Sequence, residues 1–298
     1  MNVQPLWLAQ RERGTPWMIR VITRLTLALG RPAGRALLYP VCVYFVLFSR
    51  RARRASRDYL ARVLSRRPRW RDLFLHQLCF ARTILDRIYL LSGRIAYFDC
   101  AVEGVEALKT RLESGRGCLL FGAHFGSFDF LRVLGLAECT VPVNVLMHQR
   151  DEEKLNAVLD PMNPRLPMQI IRLGQSQTML QVAEALGRGE IVALLADRVV
   201  AGDKMVPCEF LGDKAPLPEG PFVLAAMLRV PVVLFSAVYG GGRRYRIRFE
   251  PFAERIVLER ESRALALRDY CQRYARWLEE NCRSAPYNWF NFYDFWAR

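Results

Sequence analysis

Leu119-Leu120-Phe121-Gly122-Ala123-His124-Phe125-Gly126-Ser127-Phe128-Asp129 is the stretch from which the rest of the chain is read. With Cys118 in front, its first part is an uncharged run of the length of a buried strand, and Gly122 and Ala123 then let the backbone turn. His124 falls just past the carboxyl end of that strand, and Asp129 follows five positions on, where a helix begins. In an open α/β sheet this is the crevice in which ligands bind. Along one continuous helix, five residues would set the two side chains about 140° apart, so they meet only if His124 is in the loop and Asp129 in the first helical turn. In that arrangement the carboxylate accepts the Nδ1 proton, fixes the tautomer and leaves Nε2 as a general base. No Gly-x-Ser-x-Gly elbow is present, and Ser127 has the context of a helix cap, so the attacking hydroxyl is expected to belong to the substrate. The same spacing recurs at His148 and Glu153, but in a polar loop without a glycine hinge. Residue chemistry alone leaves His124 open as either a catalytic or a structural histidine.

Outward from this stretch, strand and helix patterns alternate. Strands are expected at 97–102, 118–123, 142–147, 168–173, 191–196, 230–238 and 245–250, with helices at 105–114, 128–138, 152–159, 177–188 and 221–228 between most of them. That order predicts an α/β fold: a mixed, largely parallel central sheet flanked by helices on both faces. Gly240-Gly241-Gly242 adds a hairpin, and a helix over about 261–282 closes the fold. Val199 to Glu219, with Lys204 and Lys214, reads as a loop.

Upstream, charge dominates. Lys and Arg number 44 against 29 Asp and Glu, a net charge of +15, and residues 1–70 carry +13 of it through fifteen arginines against Glu12 and Asp58. This charge adjoins the most apolar run of the chain, Ala36 to Phe48, which is followed at once by Arg50, Arg51, Arg53 and Arg54. Thirteen uncharged residues broken by Pro40 are fewer than the roughly 20 that span a bilayer. Together with the amphipathic pattern of 17–29, they predict membrane-associated N-terminal helices whose basic side meets anionic lipid, against the alternative of a buried helical hairpin. No cleaved secretory signal is expected, because Arg20, Arg24 and Arg31 interrupt the region. The division is therefore 1–70, a basic, apolar membrane-anchoring segment, and 71–298, a catalytic domain. Eight cysteines without a C-x-x-C pair and only three histidines point to buried thiols in a reducing compartment, with no disulfide frame and no metal. After the anchor, apolar residues at 74, 78, 81, 85 and 88 mark a helix over 72–91.

His-x4-Asp after an apolar strand resembles the hallmark of the glycerolipid and lysophospholipid acyltransferase superfamily, and the surroundings look most like its bacterial lipid A late (lauroyl/myristoyl) acyltransferases. Ala196-Asp197-Arg198, Glu209-Phe210-Leu211-Gly212, Pro218-Glu219-Gly220-Pro221 and Val230-Pro231-Val232-Val233 follow in the order of that branch. The resemblance covers roughly residues 17–296. It implies transfer of a fatty acyl chain from a thioester of acyl carrier protein, or less often coenzyme A, to a hydroxyl of a membrane-embedded lipid, at the cytoplasmic face of the bacterial inner membrane. It implies no metal and no bound cofactor. His124 and Asp129 would be catalytic, with Asp129 orienting and stabilising the imidazolium. Arg150, Asp197, Arg198, Gly126, Phe210, Gly212, Pro218, Glu219 and Gly220 would be substrate-binding; a solvated Arg150 and a structural Asp197-Arg198 ion pair are the alternatives.

The tail departs from that pattern. Pro286-Tyr287-Asn288-Trp289 starts like the family's Pro-x-Gln-Tyr-x-Trp end, but Phe292-Tyr293-Asp294 stands where the lipid A enzymes show a His-Arg-Arg cluster. Replacing cations by aromatics and an acid removes charge-assisted pairing with phosphate, which argues against lipid A as the acceptor; the resemblance of the tail to that of some relatives in the family implies, as the alternative, a specialised acceptor such as an aryl polyene lipid. The seven aromatics of the last fourteen residues predict either a core plug or an interfacial belt. Readings in other classes are a non-catalytic lipid-binding protein and, from basicity alone, a nucleic-acid-binding protein without a recognisable motif. A thioester hydrolase is a variant of the first reading.

Overall fold

A computed structural model describes residues 16–113, 115, 117–131, 141–147, 169–199 and 202–296. The helices expected at 152–159 and over most of 128–138, together with Arg150, His148 and Cys139, lie outside these residues. In chain order the elements are α1 (Pro16–Phe48), α2 (Arg50–Leu64), α3 (Trp70–Leu91), β1 (Asp99–Glu103), α4 (Val105–Glu113), β2 (Cys118–Gly122), β3 (Val143–Met147), β4 (Gln169–Arg172) and α5 (Thr178–Gly187). They continue with β5 (Ile191–Leu195), β6 (Met205–Phe210), β7 (Asp213–Pro218), α6 (Gly220–Leu228), β8 (Val232–Tyr239), β9 (Arg244–Ala253) and α7 (Arg263–Ser284).

Among the described residues the main sheet has seven strands in the order β1-β9-β8-β2-β5-β3-β4. Every pairing is parallel except the antiparallel β8–β9 hairpin. β2 is therefore a central strand, and each of its five residues is buried, as a strand covered on both faces requires. Alternate residues enter separate cores. Leu119 and Phe121 of β2, with Val192 and Leu194 of β5, face α2, α5, α6 and α7. Cys118 and Leu120, with Ile191 and Ala193, face α3 and α4. Each Leu or Phe buried in this way contributes roughly 1.5–3 kcal/mol.

The segment expected as a loop over 199–219 holds a second, two-stranded sheet, β6–β7. Its turn is Leu211 and Gly212, both with positive φ (52° and 84°), the two-residue geometry that matches strand twist. Pro207, Pro216 and Pro218 hide the strands in the sequence, since proline argues against a paired strand. Counting from the turn, all three fall at positions whose N–H makes no ladder bond, and Pro207 lies opposite Pro216. Val206, Cys208 and Phe210 point inward, against α7.

α1 breaks at Gly30 (φ 82°, ψ 165°), and Pro32 begins its second part, where a missing N–H costs nothing. Pro40, expected to interrupt the apolar run, lies inside a continuous helix. On that second part Arg31, Gly34 and Cys42 are buried, while Leu37, Tyr39, Val41, Val43, Tyr44, Leu47 and Phe48 are each at least 40% exposed. No single described helix is long and apolar enough to cross a membrane; only Gly30–Phe48 and Arg50–Leu64 taken together, bent by 92°, pass by length and composition. α1 is fixed to α3 by a buried ion pair in which Arg31 Nε and Nη2 each donate to a carboxylate oxygen of Asp86 at 2.6 Å. The Tyr245 hydroxyl of β9 donates to the same carboxylate at 2.9 Å, and Arg31 also donates to the Gly242 carbonyl at 2.7 Å.

Removing one partner of such a pair strands a buried charge. Asp86→Ala is expected to lower the unfolding free energy by about 3–5 kcal/mol. In chemical denaturation followed in detergent, Arg31→Met combined with Asp86→Leu should recover most of that loss; equal losses in both variants would show that the charge is not the cause.

Candidate active site

β2 ends at Gly122, whose carbonyl accepts from Ala196 N at 2.9 Å and from the Tyr274 hydroxyl of α7 at 2.8 Å. The chain then crosses the carboxyl end of β8. Gly126 has φ 65° and bridges Ala237, and a Cβ there would collide with the Ala237 carbonyl oxygen, so only glycine fits. The other side of the loop is covered by the C-terminal tail. Gly126 N donates to Asn288 O at 2.8 Å, Phe290 N donates to His124 O at 2.8 Å, and Phe125 bridges Trp289 antiparallel. His124 is thus held from both sides by backbone bonds while its side chain stays 31% exposed. Asp129 falls in a turn directly before helical residues 130 and 131.

His124 Nδ1 lies 2.8 Å from Oδ1 of Asp197, whose side chain is 1% exposed. Oδ2 of the same carboxylate accepts from His124 N at 3.0 Å and from the Trp289 indole Nε1 at 3.1 Å. Burial alone would push the Asp197 carboxyl up, but the charge and hydrogen bond of His124, the Arg198 guanidinium and the His124 backbone N–H outweigh it and hold it down at about 2. An ionised Asp197 can only accept, so Nδ1 carries the proton and Nε2 is the basic nitrogen of the neutral ring.

The Nδ1 partner is therefore Asp197 and not, as the five-residue spacing predicted, Asp129. The reason is register. β2 and β5 run parallel with Gly122 opposite Leu195, so His124 and Asp197, each two residues further on, leave the sheet side by side. Oδ1 of Asp129 lies instead 3.1 Å from Arg87 Nε of α3, in a pair whose side chains are 12% and 25% exposed.

The other residues singled out in the sequence fall into two groups. Arg198 Nη2 donates to Phe290 O at 2.9 Å, and its guanidinium lies 5.5 Å from the Tyr293 ring centre. Phe210 packs edge-on against Trp289 and stacks on Trp296. These two and Gly126 surround the histidine loop directly or through the tail. Gly212 makes the β6–β7 turn, Pro218 ends β7, and Glu219 and Gly220 start α6, where Glu219 lies 3.9 Å from Arg263. Among the described residues no three His, Cys, Asp or Glu side chains form a set that could hold a metal ion.

Arg87 and His76 carried no sequence signal. His76 is fully buried on α3, and its Nε2 is 2.7 Å from the Trp289 carbonyl. A carbonyl only accepts, so Nε2 holds the proton and Nδ1 accepts from Ser56 Oγ of α2 at 2.7 Å. Burial pushes the imidazole down to about 4, against the opposing pull of the Trp289 carbonyl. The tail is a core plug: Trp289, Phe290, Phe295 and Trp296 are buried, and Tyr59 and Tyr287 tie its start to α2 and α3 by hydrogen bonds to Pro286 O and Asp72.

The sequence matches the family model for bacterial lipid A biosynthesis acyltransferases over residues 3–298. The chain belongs to this family. No curated protein matches it. Membership implies acyl transfer to a lipid acceptor in lipid A biosynthesis. The exposed histidine at the carboxyl edge of the sheet is a ring whose tautomer Asp197 fixes.

Two measurements check this assembly. Gly126→Ala should lower stability by at least about 1 kcal/mol and remove transfer activity, because the new methyl group pushes the loop off Ala237; a thermal melt and an activity assay of the one variant read both. For His76, the unfolded chain binds a proton below about pH 6.5 while the folded one does not until about pH 4. Stability should therefore decline as pH falls through that window, by on the order of 3 kcal/mol from this group. His76→Gln should flatten the decline in unfolding free energy measured between pH 7 and 4.

Proposed function

We propose that this protein is a membrane-associated O-acyltransferase that moves a fatty acyl chain from an acyl thioester, carried by acyl carrier protein or coenzyme A, to a hydroxyl of a lipid acceptor, with His124 as general base. The observation that carries the reading is the Asp197 contact at Nδ1 of an accessible histidine at the carboxyl edge of the sheet. Nε2 takes the proton of the acceptor hydroxyl as its oxygen attacks the thioester carbonyl. The tetrahedral intermediate collapses, the carbon–sulfur bond breaks, and the imidazolium returns the proton to the departing thiolate. Asp197 orients the ring and stabilises the imidazolium. Asp129 acts with Arg87, whose Nε lies 3.1 Å from its Oδ1.

The membrane-facing part is α1 and α2. The exposed apolar face of α1 supports burial among acyl chains, and the arginines of α2 support contact with anionic headgroups. Trp70, exposed with Arg53 and Arg57 over its ring at 5.6 and 5.8 Å, has the amphipathic character of an interfacial anchor. We assign this anchor to the cytoplasmic face of the inner membrane and the catalytic part to residues 71–298.

A second reading concerns the acceptor. Phe292 packs on His76 and Phe80, and Tyr293 lies under Arg198, so this part of the tail offers aromatic packing in place of a cation cluster for phosphates. That favours a specialised acceptor with a less charged head over a phosphorylated disaccharide.

The test is mass spectrometry of total lipids from cells lacking the gene, complemented with wild type or variants. Wild type should restore a species heavier by one acyl chain, whose mass and fragments name acceptor and chain length. His124→Ala should not, and in an assay with purified protein it should lose at least about a hundredfold in turnover. Asp197→Asn should lose as much with its fold intact, because the amide oxygen takes the two N–H donors at Oδ2 and the amide nitrogen then faces Nδ1, which selects the wrong tautomer. Membrane binding with full turnover in His124→Ala would sink the mechanism, and lipid binding without any turnover in wild type would favour a lipid-binding protein.

A further inference from the structure

Resting on the reading of His124 as general base, we infer that Trp289 is a positioning residue of the acyl transfer: its indole N–H, with the His124 backbone N–H, holds Oδ2 of Asp197 so that Oδ1 faces the imidazole. A carboxylate can turn about its last bond, and a buried one adopts whatever orientation satisfies both oxygens. Here the two donors to Oδ2 come from different parts of the chain, the histidine loop and the tail. Only with both in place is the rotation about that bond fixed and the second oxygen aimed at Nδ1.

Trp289 itself is held on every side. Its ring packs edge-on against Tyr59 of α2 at 4.9 Å, Phe210 of β6 at 5.3 Å and Phe295 at 4.8 Å. Its carbonyl accepts from His76, and the residues flanking it, Asn288 and Phe290, bond the backbone of Gly126 and His124. The indole is thus locked by three rings and gives its one polar group to the carboxylate of the base. Burial alone does not secure an acceptor, since the indole N–H of the neighbouring buried Trp296 has none, whereas that of Trp289 is met by Asp197 at 3.1 Å. A tryptophan serving packing alone could use any carbonyl, and removal of its N–H would then leave the base untouched. The charged and titratable groups grouped with Asp197 are His124, Arg198, Tyr274, Cys282 and Tyr293.

The decisive variant replaces Trp289 by 3-benzothienylalanine, which keeps the bicyclic shape and exchanges the N–H for sulfur; Trp289→Phe is the genetically encoded companion. The Cε1 signals of the three histidines, assigned by single His→Gln changes, give the titration of His124 without reference to activity. Turnover is read in parallel with radiolabelled lauroyl-acyl carrier protein as donor and total bacterial membrane lipid as acceptor. If Trp289 positions Asp197, the isostere lets the carboxylate turn away. The His124 titration then falls by about half a pH unit or more, and kcat drops about tenfold, with KM for the donor within about twofold of wild type. An unchanged or raised His124 titration, or full kcat in a protein that is merely less stable, overturns the inference. His124→Ala assayed alongside separates the two levels: if it stays active, the general-base reading fails, whereas an inactive His124→Ala beside an unaffected isostere fails the role of Trp289 alone.

Discussion

A carboxylate taken out of water must be repaid by donors, and Asp197 has them on both oxygens: an imidazole, a backbone N–H and an indole N–H. Much of the site follows from meeting that demand. The backbone donor requires the chain to turn tightly after β2, and Gly126 lets it cross β8 without a collision. The indole requires the tail to come back across the mouth of the site. The imidazole is fixed in one tautomer by the same carboxylate, which leaves Nε2 as the basic nitrogen of the neutral ring.

The tail therefore does two things at once. It adds a short backbone pairing to the exposed edge of the histidine loop, satisfying polar groups that a buried loop would otherwise leave open. It also fills the core between α2, α3 and the β6–β7 ribbon with aromatic rings. Ser56, His76 and the Trp289 carbonyl form one hydrogen-bonded line from α2 through α3 to the tail. Trp289 continues it to Asp197 and His124. The neutral state of His76 belongs to this line, because its two ring nitrogens must be one acceptor and one donor to meet a hydroxyl and a carbonyl.

The alternation of apolar strands and helices was enough to read the parallel core, since strands buried on both faces carry a nearly continuous apolar signal. Strand β2 stood out for that reason, and the β8–β9 hairpin through its turn at Gly240-Gly241-Gly242. The β6–β7 ribbon did not, because its prolines sit at the non-bonding positions that a local rule cannot distinguish from bonding ones. His124 was legible as a histidine beyond a strand end. Its partner was not: Asp197 is 73 residues away, and what joins them is the Gly122–Leu195 register, a property of the sheet. The motif spacing pointed to Asp129, which follows His124 in the chain but turns toward α3. Arg87 and His76 had no local pattern, because their roles come from helices packed against distant segments.

Helix α3 links the two ends of the arrangement through adjacent residues of opposite charge. Consecutive side chains on a helix diverge by about 100°, so Asp86 and Arg87 look to different neighbours. Asp86 receives Arg31 of α1 and the hydroxyl of Tyr245 of β9. Arg87 faces the motif carboxylate of Asp129. One turn of α3 thus fixes the helix with the exposed apolar face to the sheet and, on its next face, sets a guanidinium against Asp129. A movement of α1 that pulled Arg31 from Asp86 would strand a buried charge within one residue of the Asp129 partner. The cost of that charge ties the orientation of the apolar helix to the stretch of α3 that holds Arg87 against Asp129.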